Sequence, residues 1–188
     1  MPESAARPAV FLDRDGVICE EMGYLNHLSR FRMFPFAGGA VTRLSRAGLG
    51  VIVVTNQSGI AHGIFPESLV HQIHERMTQE LAATGARLDG IYFCPHRTEA
   101  TCECRKPRAG MLDRAAREHN LDLRRSWVVG DRYLDVEMAH RVGARGILVL
   151  TGYGRGDHEL HHAEWPRPPE CIAEDLSAAV DFILKEAR

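Results

Sequence analysis

The 188-residue sequence holds no apolar run approaching the roughly 20 residues of a membrane-spanning helix, and no charged segment followed by an apolar stretch at its start. No membrane partner is expected, and the expected location is the cytoplasm. Charge of one sign is also lacking: 23 Lys and Arg stand against 25 Asp and Glu, a net charge of -2, with no basic arm or stripe. A chain so balanced offers little to neutralise the phosphates of nucleic acid, so no nucleic-acid partner is expected. There is no internal repeat, no low-complexity tract and no Cys-x-x-Cys pair, which argues against a dithiol redox centre.

Apolar residues make up 45% of the chain, enough for one domain with its own core, so residues 1-188 are read as a single domain. A monomer is expected. Short, continuously apolar runs, Ala9 to Asp13, Val51 to Thr55, Gly90 to Cys94, Trp127 to Asp131 and Gly146 to Leu150, suit strands buried on both faces. Amphipathic stretches lie between them near Ala37 to Ala47, Pro66 to Ala83, Met111 to His119 and Asp135 to Val142, with Gly48, Gly85, Asn120 and Gly143 as stops. The alternation predicts an α/β domain with a doubly wound, Rossmann-like parallel sheet, whose ligands bind at the carboxyl ends of the strands. Gly152 to Pro169 reads as loop, His158-Glu-Leu-His161-His162 and Arg155-Gly-Asp157 included. Cys19 and Cys171 read as small buried hydrophobes and Trp127 as core.

Polar groups collect at the strand ends. Asp13 and Asp15 stand at i and i+2 after the first strand, Thr55 closes the second, and Asp131 and Asp135 follow the fourth. Carboxylates and glycines are common where strands turn into loops, but four acids in one place repel one another and call for a hard divalent cation. Magnesium keeps few protein carboxylates and favours phosphate oxygens, which points to a phosphorylated substrate. Thr55 offers a hydroxyl, Asn56-Gln57-Ser58-Gly59 offer turn amides and Lys106 a mobile positive charge for its oxygens.

Cys94, His96, Cys102 and Cys104 form two x-spaced pairs, the ligand types and number of a closed structural zinc site. Such a zinc has no water to activate. Three thiolates and one imidazole around Zn(II) leave about one negative charge, which Arg105 and Lys106 partly offset. The metal is expected to preset the loop that carries these two cations.

The set Asp13-x-Asp15-Gly16, Thr55, Lys106 and Gly130-Asp131-x-x-x-Asp135 resembles the motifs of the haloacid dehalogenase (HAD) superfamily of phosphatases. Phe-Leu-Asp-Arg-Asp-Gly, Val-Thr-Asn-Gln-Ser-Gly-Ile and Cys-x-His…Cys-x-Cys-Arg-Lys-Pro resemble, more narrowly, the heptose bisphosphate phosphatases and the related histidinol-phosphate phosphatases. The resemblance implies the HAD type of sheet with a zinc-bound loop, and the spacing from Asp15 to Thr55 leaves no room for a large cap domain. It implies a Mg2+-dependent phosphomonoesterase acting on a small phosphorylated sugar, a heptose bisphosphate of carbohydrate and lipopolysaccharide-precursor metabolism. Asp13 would form an aspartyl-phosphate, and Asp15 would act as general acid and then base. Magnesium would lie on Asp13, Asp131 and the backbone carbonyl of Asp15, with Asp135 behind them, while Thr55 and Lys106 hold phosphate oxygens. Carried over by position, the substrate-binding residues are Glu21, Met22, Gly23, Tyr24, Thr55, Asn56, Gln57, Ser58, Arg105, Lys106 and Arg132, with Arg105 on the distal phosphate or a sugar hydroxyl. Val17, Cys19, His62 and Arg132 depart from the usual Thr, Asn, Arg and Lys. A histidinol-phosphate phosphatase would use the same chemistry. A DNA 3′-phosphatase would need the missing basic groove, and a non-catalytic zinc-binding interaction module would have no use for the intact acidic and phosphate-binding set.

Overall fold

Val10 and Leu12 face one side of strand β1 (Ala9–Leu12) and Ala9 and Phe11 the other, and all four are fully buried. A strand alternates its side chains, so a run that is apolar at every position needs cover on both faces. The computed structural model, which describes residues 5–187, supplies that cover. Beside β1 lie β2 (Gly50–Asn56), β3 (Gly90–Cys94), β4 (Trp127–Gly130), β5 (Arg145–Val149) and β6 (Cys171–Ala173). They form one parallel sheet in the order β3-β2-β1-β4-β5-β6.

Register carries the same sidedness across the sheet. Phe11 is level with Ile52 and Val128, and all three join the face covered by α3 (Gly110–His119) and α4 (Tyr133–Arg141) through Met111, Leu112, Ala115, Met138 and Ala139. Leu12 is level with Val53 and Val129 on the opposite face. There α1 (Ala37–Arg46), α2 (Glu67–Ala82) and α6 (Leu176–Glu186) contribute Val41, Leu44, Ile73, Met77, Val180 and Ile183. Truncating a fully buried member such as Leu12 to Ala costs about 2–5 kcal/mol. The strand order reverses between β1 and β4, so the chain leaves them in opposite directions and opens a crevice at their carboxyl ends.

The expected strands and helices match β1 to β5 and α1 to α4, and the stops after α1, α2, α3 and α4 take positive φ. Asn120 does so at φ 50° because, of the non-glycine residues, Asn and Asp tolerate that region best. The stretch expected as loop differs: Gly154–His161 is a helix, α5, carrying His158 and His161. Gly154 marks close packing there, since a Cβ would fall 1.7 Å from the Val149 carbonyl oxygen. Asp157, in turn, accepts a hydrogen bond from Tyr133 N at 2.6 Å at the start of α4. β6 and α6 lie beyond the segments assigned from pattern, although Asp175 accepts from Ala178 N at 2.9 Å as a cap that the sequence displays. Trp127 is core, 2% exposed, with the Arg145 guanidinium 4.2 Å from its ring centroid. Cys19 is fully buried, whereas Cys171 on the edge strand is only half-buried.

Candidate active site

β1 ends at Leu12, and the next three residues carry charge into the crevice. Asp13 points at Lys106, with its Oδ2 2.8 Å from Nζ, and its Oδ1 accepts from Arg14 N at 2.7 Å. Lys106 is 4% exposed and also meets Asp135 Oδ1 at 2.6 Å and the Val54 carbonyl at 3.3 Å. The sequence suggested a mobile cation; three acceptors around a buried ammonium hold it in place instead. Burial alone would lower the Lys106 pKa, but Asp13 and Asp135 outweigh it and raise it above its ordinary value.

Asp15 turns away from Asp13. Arg14 grips both of its oxygens, Nη2 to Oδ2 at 2.7 Å and to Oδ1 at 3.0 Å with Nε to Oδ1 at 3.1 Å, and Gln57 Nε2 adds a bond to Oδ2 at 3.0 Å. Burial pushes this carboxyl up, yet the guanidinium and its hydrogen bonds prevail and hold Asp15 below the usual carboxylate range. Gln57 bridges to Thr55 as well, donating to Oγ1 at 2.9 Å.

Asp131 completes the floor, buried and accepting from Tyr153 N at 2.9 Å. Two glycines make room for it: a Cβ on Gly16 or Gly152 would lie 2.1 Å from its Oδ2. Asp13, Asp131 and Asp135 each bring one carboxylate oxygen within 4.8 Å of the others. Burial first, then the charge of Asp13, pushes the Asp131 pKa up to about 8. Asp135 Oδ2 is buried with no hydrogen-bond partner among the described residues. An acid pushed up by a like charge and an unsatisfied carboxylate oxygen mark a place that fits a hard cation. The Asp15 carboxylate is outside this cluster, so any share of Asp15 in metal binding falls to its backbone carbonyl.

Above these groups lies a cavity of about 340 Å³. Of the residues expected at substrate, all except Met22 line it. Met22 is half-buried with its sulfur 4.0 Å from Arg30 Nη2, because the turn that brings Gly23 N onto the Glu21 carboxylate carries the intervening side chain away. Glu21 faces the cavity, its pKa pushed up to about 7 by burial and then by the charge of Asp15. Tyr153, absent from the sequence-based set, also lines the wall and stacks beneath Arg132 at 4.9 Å. Its position directly after the Gly152 turn, at the end of β5, was the available signal.

Cys94 ends β3, and His96, Cys102 and Cys104 curl around its sulfur. Cys94 Sγ lies 3.8 Å from Cys102 Sγ and 3.5 Å from His96 Nδ1, which is 3.3 Å from Cys104 Sγ. A tetrahedral zinc with bonds of about 2.3 Å to sulfur and 2.0–2.1 Å to nitrogen separates sulfur pairs by about 3.8 Å and sulfur–nitrogen pairs by about 3.5 Å. The four donors fit that ion. Arg108 Nη1 ties down the carbonyls of Cys102 at 2.6 Å and Ala100 at 3.2 Å, and Arg105 bonds the His96 carbonyl at 3.1 Å and Thr98 Oγ1 at 3.0 Å. Asn56 then joins this loop to β2: its Oδ1 accepts from Lys106 N at 3.1 Å and its Nδ2 donates to Lys106 O at 3.4 Å. The pair of bonds positions the lysine that meets Asp13.

The chain is similar to proteins of known activity. The HAD-hydrolase-like family model matches residues 103–179. A D-glycero-D-manno-heptose-1,7-bisphosphate 7-phosphatase of Thermosynechococcus vestitus is 44% identical over 190 residues, covering 94% of this chain and 95% of its own. The D-glycero-beta-D-manno-heptose-1,7-bisphosphate 7-phosphatase of Pseudomonas aeruginosa is 39% identical over 182 residues, with coverage of 96% and 99%. Among solved structures, D,D-heptose 1,7-bisphosphate phosphatase from B. bronchiseptica, complexed with magnesium and phosphate, superposes with a TM-score of 0.87 at 35% identity, covering 96% of this chain and 99% of that one.

Proposed function

Since the chain belongs to the heptose-1,7-bisphosphate phosphatase family of HAD-like hydrolases, we propose that it removes the 7-phosphate of D-glycero-D-manno-heptose 1,7-bisphosphate. The observation that carries this reading is Asp13 at the cavity floor, with Lys106 2.8 Å from one oxygen and Asp131 in the same acidic cluster.

The roles follow from the chemistry. Asp13 attacks phosphorus, the bond from phosphorus to the sugar oxygen breaks, and the departing oxygen takes a proton from Asp15. Asp15 rests ionised beside Arg14, so it acquires that proton as the negative phosphate arrives and raises its pKa. Water then attacks the aspartyl-phosphate, Asp15 takes the water's proton, and phosphate leaves with Asp13 regenerated. Lys106 and the Thr55 hydroxyl hold the phosphoryl oxygens as charge spreads over them. Asp13, Asp131 and the Asp15 backbone carbonyl, with Asp135 behind, would hold magnesium, which would supply positive charge to offset the repulsion between the Asp13 carboxylate and phosphate.

Glu21, Gly23, Tyr24, Asn56, Gln57, Ser58, Arg105 and Arg132 line the space for the sugar and its second phosphate, and Arg132, steadied on Tyr153, presents a guanidinium to it. Cys94, His96, Cys102 and Cys104 hold a structural zinc, a reading supported by the donor spacing. One sheet running through the described residues supports a single domain over 1-188. The chain is read as a monomer. None of the five cysteines is paired in a disulfide among the described residues, which suits the reducing cytoplasm, and no described helix is long and apolar enough to cross a membrane.

The test is magnesium-dependent phosphate release from both anomers of heptose 1,7-bisphosphate, from histidinol phosphate and from a 3′-phosphorylated DNA oligomer, with Asp13→Asn as control. Release from the heptose substrate, abolished in the control, is the expected result; preference for another ester overturns the substrate, and release that survives Asp13→Asn overturns the mechanism.

A further inference from the structure

Arg14 is 1% exposed, and a guanidinium so deeply buried needs a partner for each donor edge. Nε and Nη2 go to Asp15. The remaining edge reaches across to α2, sixty residues away in the chain, where Nη1 lies 3.3 Å from His74 Nε2. Guanidinium nitrogen only donates, so His74 Nε2 accepts and the ring is the neutral tautomer with its proton on Nδ1. Burial, then the charge of Arg14, pushes the His74 pKa down to about 3, in keeping with a neutral acceptor. His74 is 6% exposed, and Phe93 on β3 packs edge-on to it with ring centroids 5.8 Å apart, so the imidazole has little freedom to turn.

We infer that His74 is a positioning residue for the reaction: it anchors the outer edge of the Arg14 guanidinium so that the inner edge fixes the orientation of the Asp15 carboxyl toward the departing sugar oxygen. A planar guanidinium held at both edges has one orientation; freed from His74, it can pivot about its bonds to Asp15 and carry that carboxyl with it. Gln57 still holds one Asp15 oxygen, so the loss is partial. Full general acid catalysis contributes typically about 10²–10⁴-fold, and loss of the anchor should remove about tenfold. The inference rests on the reading of Asp15 as the general acid.

A residue that only fills the core would slow every substrate alike, whereas one that aims a general acid matters only where the leaving group needs a proton. The experiment follows leaving-group release in a single turnover, enzyme in excess, for heptose 1,7-bisphosphate and for p-nitrophenyl phosphate, whose phenolate departs without protonation. His74→Leu is expected to slow the sugar ester about tenfold, leave the aryl ester within about twofold and leave the enzyme concentration for half-maximal rate in place for both. His74→Gln, whose amide oxygen can accept from Nη1, should restore most of the sugar-ester rate. Should His74→Leu not fold, His74→Asn, with an acceptor too short to reach Nη1, takes its place. Equal slowing of both esters, or none of the sugar ester, overturns the role of His74. Asp15→Asn separates the two ideas: if it too slows both esters equally, the general-acid reading falls; if it is selective while the His74 variants are not, only the inference drawn here falls.

Discussion

Lys106 and Asp135 form an ion pair at 2.6 Å, with side chains 2% and 0% exposed, and the same ammonium meets Asp13 at 2.8 Å. One cation thus joins the end of β1 to the start of α4. Breaking a buried pair by removing one partner typically costs about 3–5 kcal/mol, because the other charge stays buried. Asp13 remains as a partner for Lys106, so Asp135→Ala should lower the unfolding free energy by about 3 kcal/mol in urea titration. A loss under about 1 kcal/mol would mean that the lysine relaxes fully onto Asp13.

Lys106→Ala should cut kcat by about 10²–10³, the range for losing one preorganised group that stabilises transition-state charge. Steady-state kinetics in saturating magnesium measure it. Lys106→Arg should not recover the loss, since a planar fork does not fit the site where one nitrogen meets three acceptors.

The cluster of Asp13, Asp131 and Asp135 gives a pH dependence of definite sign. Asp131 is pushed up to about 8 from an ordinary 3.8, so the metal-free folded state binds its proton more tightly than the unfolded chain does. This contribution to stability is complete below about pH 4 and is lost as pH rises towards 8. Magnesium demands the ionised form, so the rise in Tm on adding magnesium should be larger at pH 8 than at pH 5. Thermal melts in magnesium-free buffer, without a chelator that would also strip zinc, provide the comparison.

Glu21, pushed up to about 7, is protonated below that pH and ionised above it. Ionised, it faces a substrate carrying phosphate charge, so KM for the heptose bisphosphate should rise as pH increases through 7. Glu21→Gln should flatten that limb while leaving kcat nearly unchanged, and a pH profile of KM shows which holds.

Zinc removal should lower activity through the loop that follows β3. Chelation, or Cys104→Ser, leaves the loop ahead of Lys106 tied by the hydrogen bonds of Arg105 and Arg108, with the Lys106 ion pairs only at its far end, so proteolysis between 94 and 106 should accelerate as activity falls. Activity and protease resistance that both survive complete zinc loss would contradict the role given to the metal.

Much of this was legible in the order of residues. Asp13, Thr55 and Asp131 stand at the ends of runs that are apolar at every position, so strand periodicity alone assigned them to the carboxyl edge of a parallel sheet. The grouping of Cys94, His96, Cys102 and Cys104 announced itself by residue type and close spacing, and the helix stops by Gly and Asn. These are local regularities, set by a few successive φ/ψ choices and by side-chain alternation. The sidedness of Asp15, the confinement of Lys106 between Asp13 and Asp135, the contact of Arg14 with His74 and the stacking of Tyr153 under Arg132 have no such local signature. Each joins residues brought together by strand order and helix placement, and burial decides which pairings are kept, because a charge removed from water has to find its partner wherever the chain passes. Even the helix at Gly154–His161 depends on this: its glycines read as loop until the Val149 carbonyl is seen pressed against Gly154. Composition and periodicity determined the buried strands and the polar groups at their ends, while the three-dimensional packing alone decided which charge each of those groups leans on.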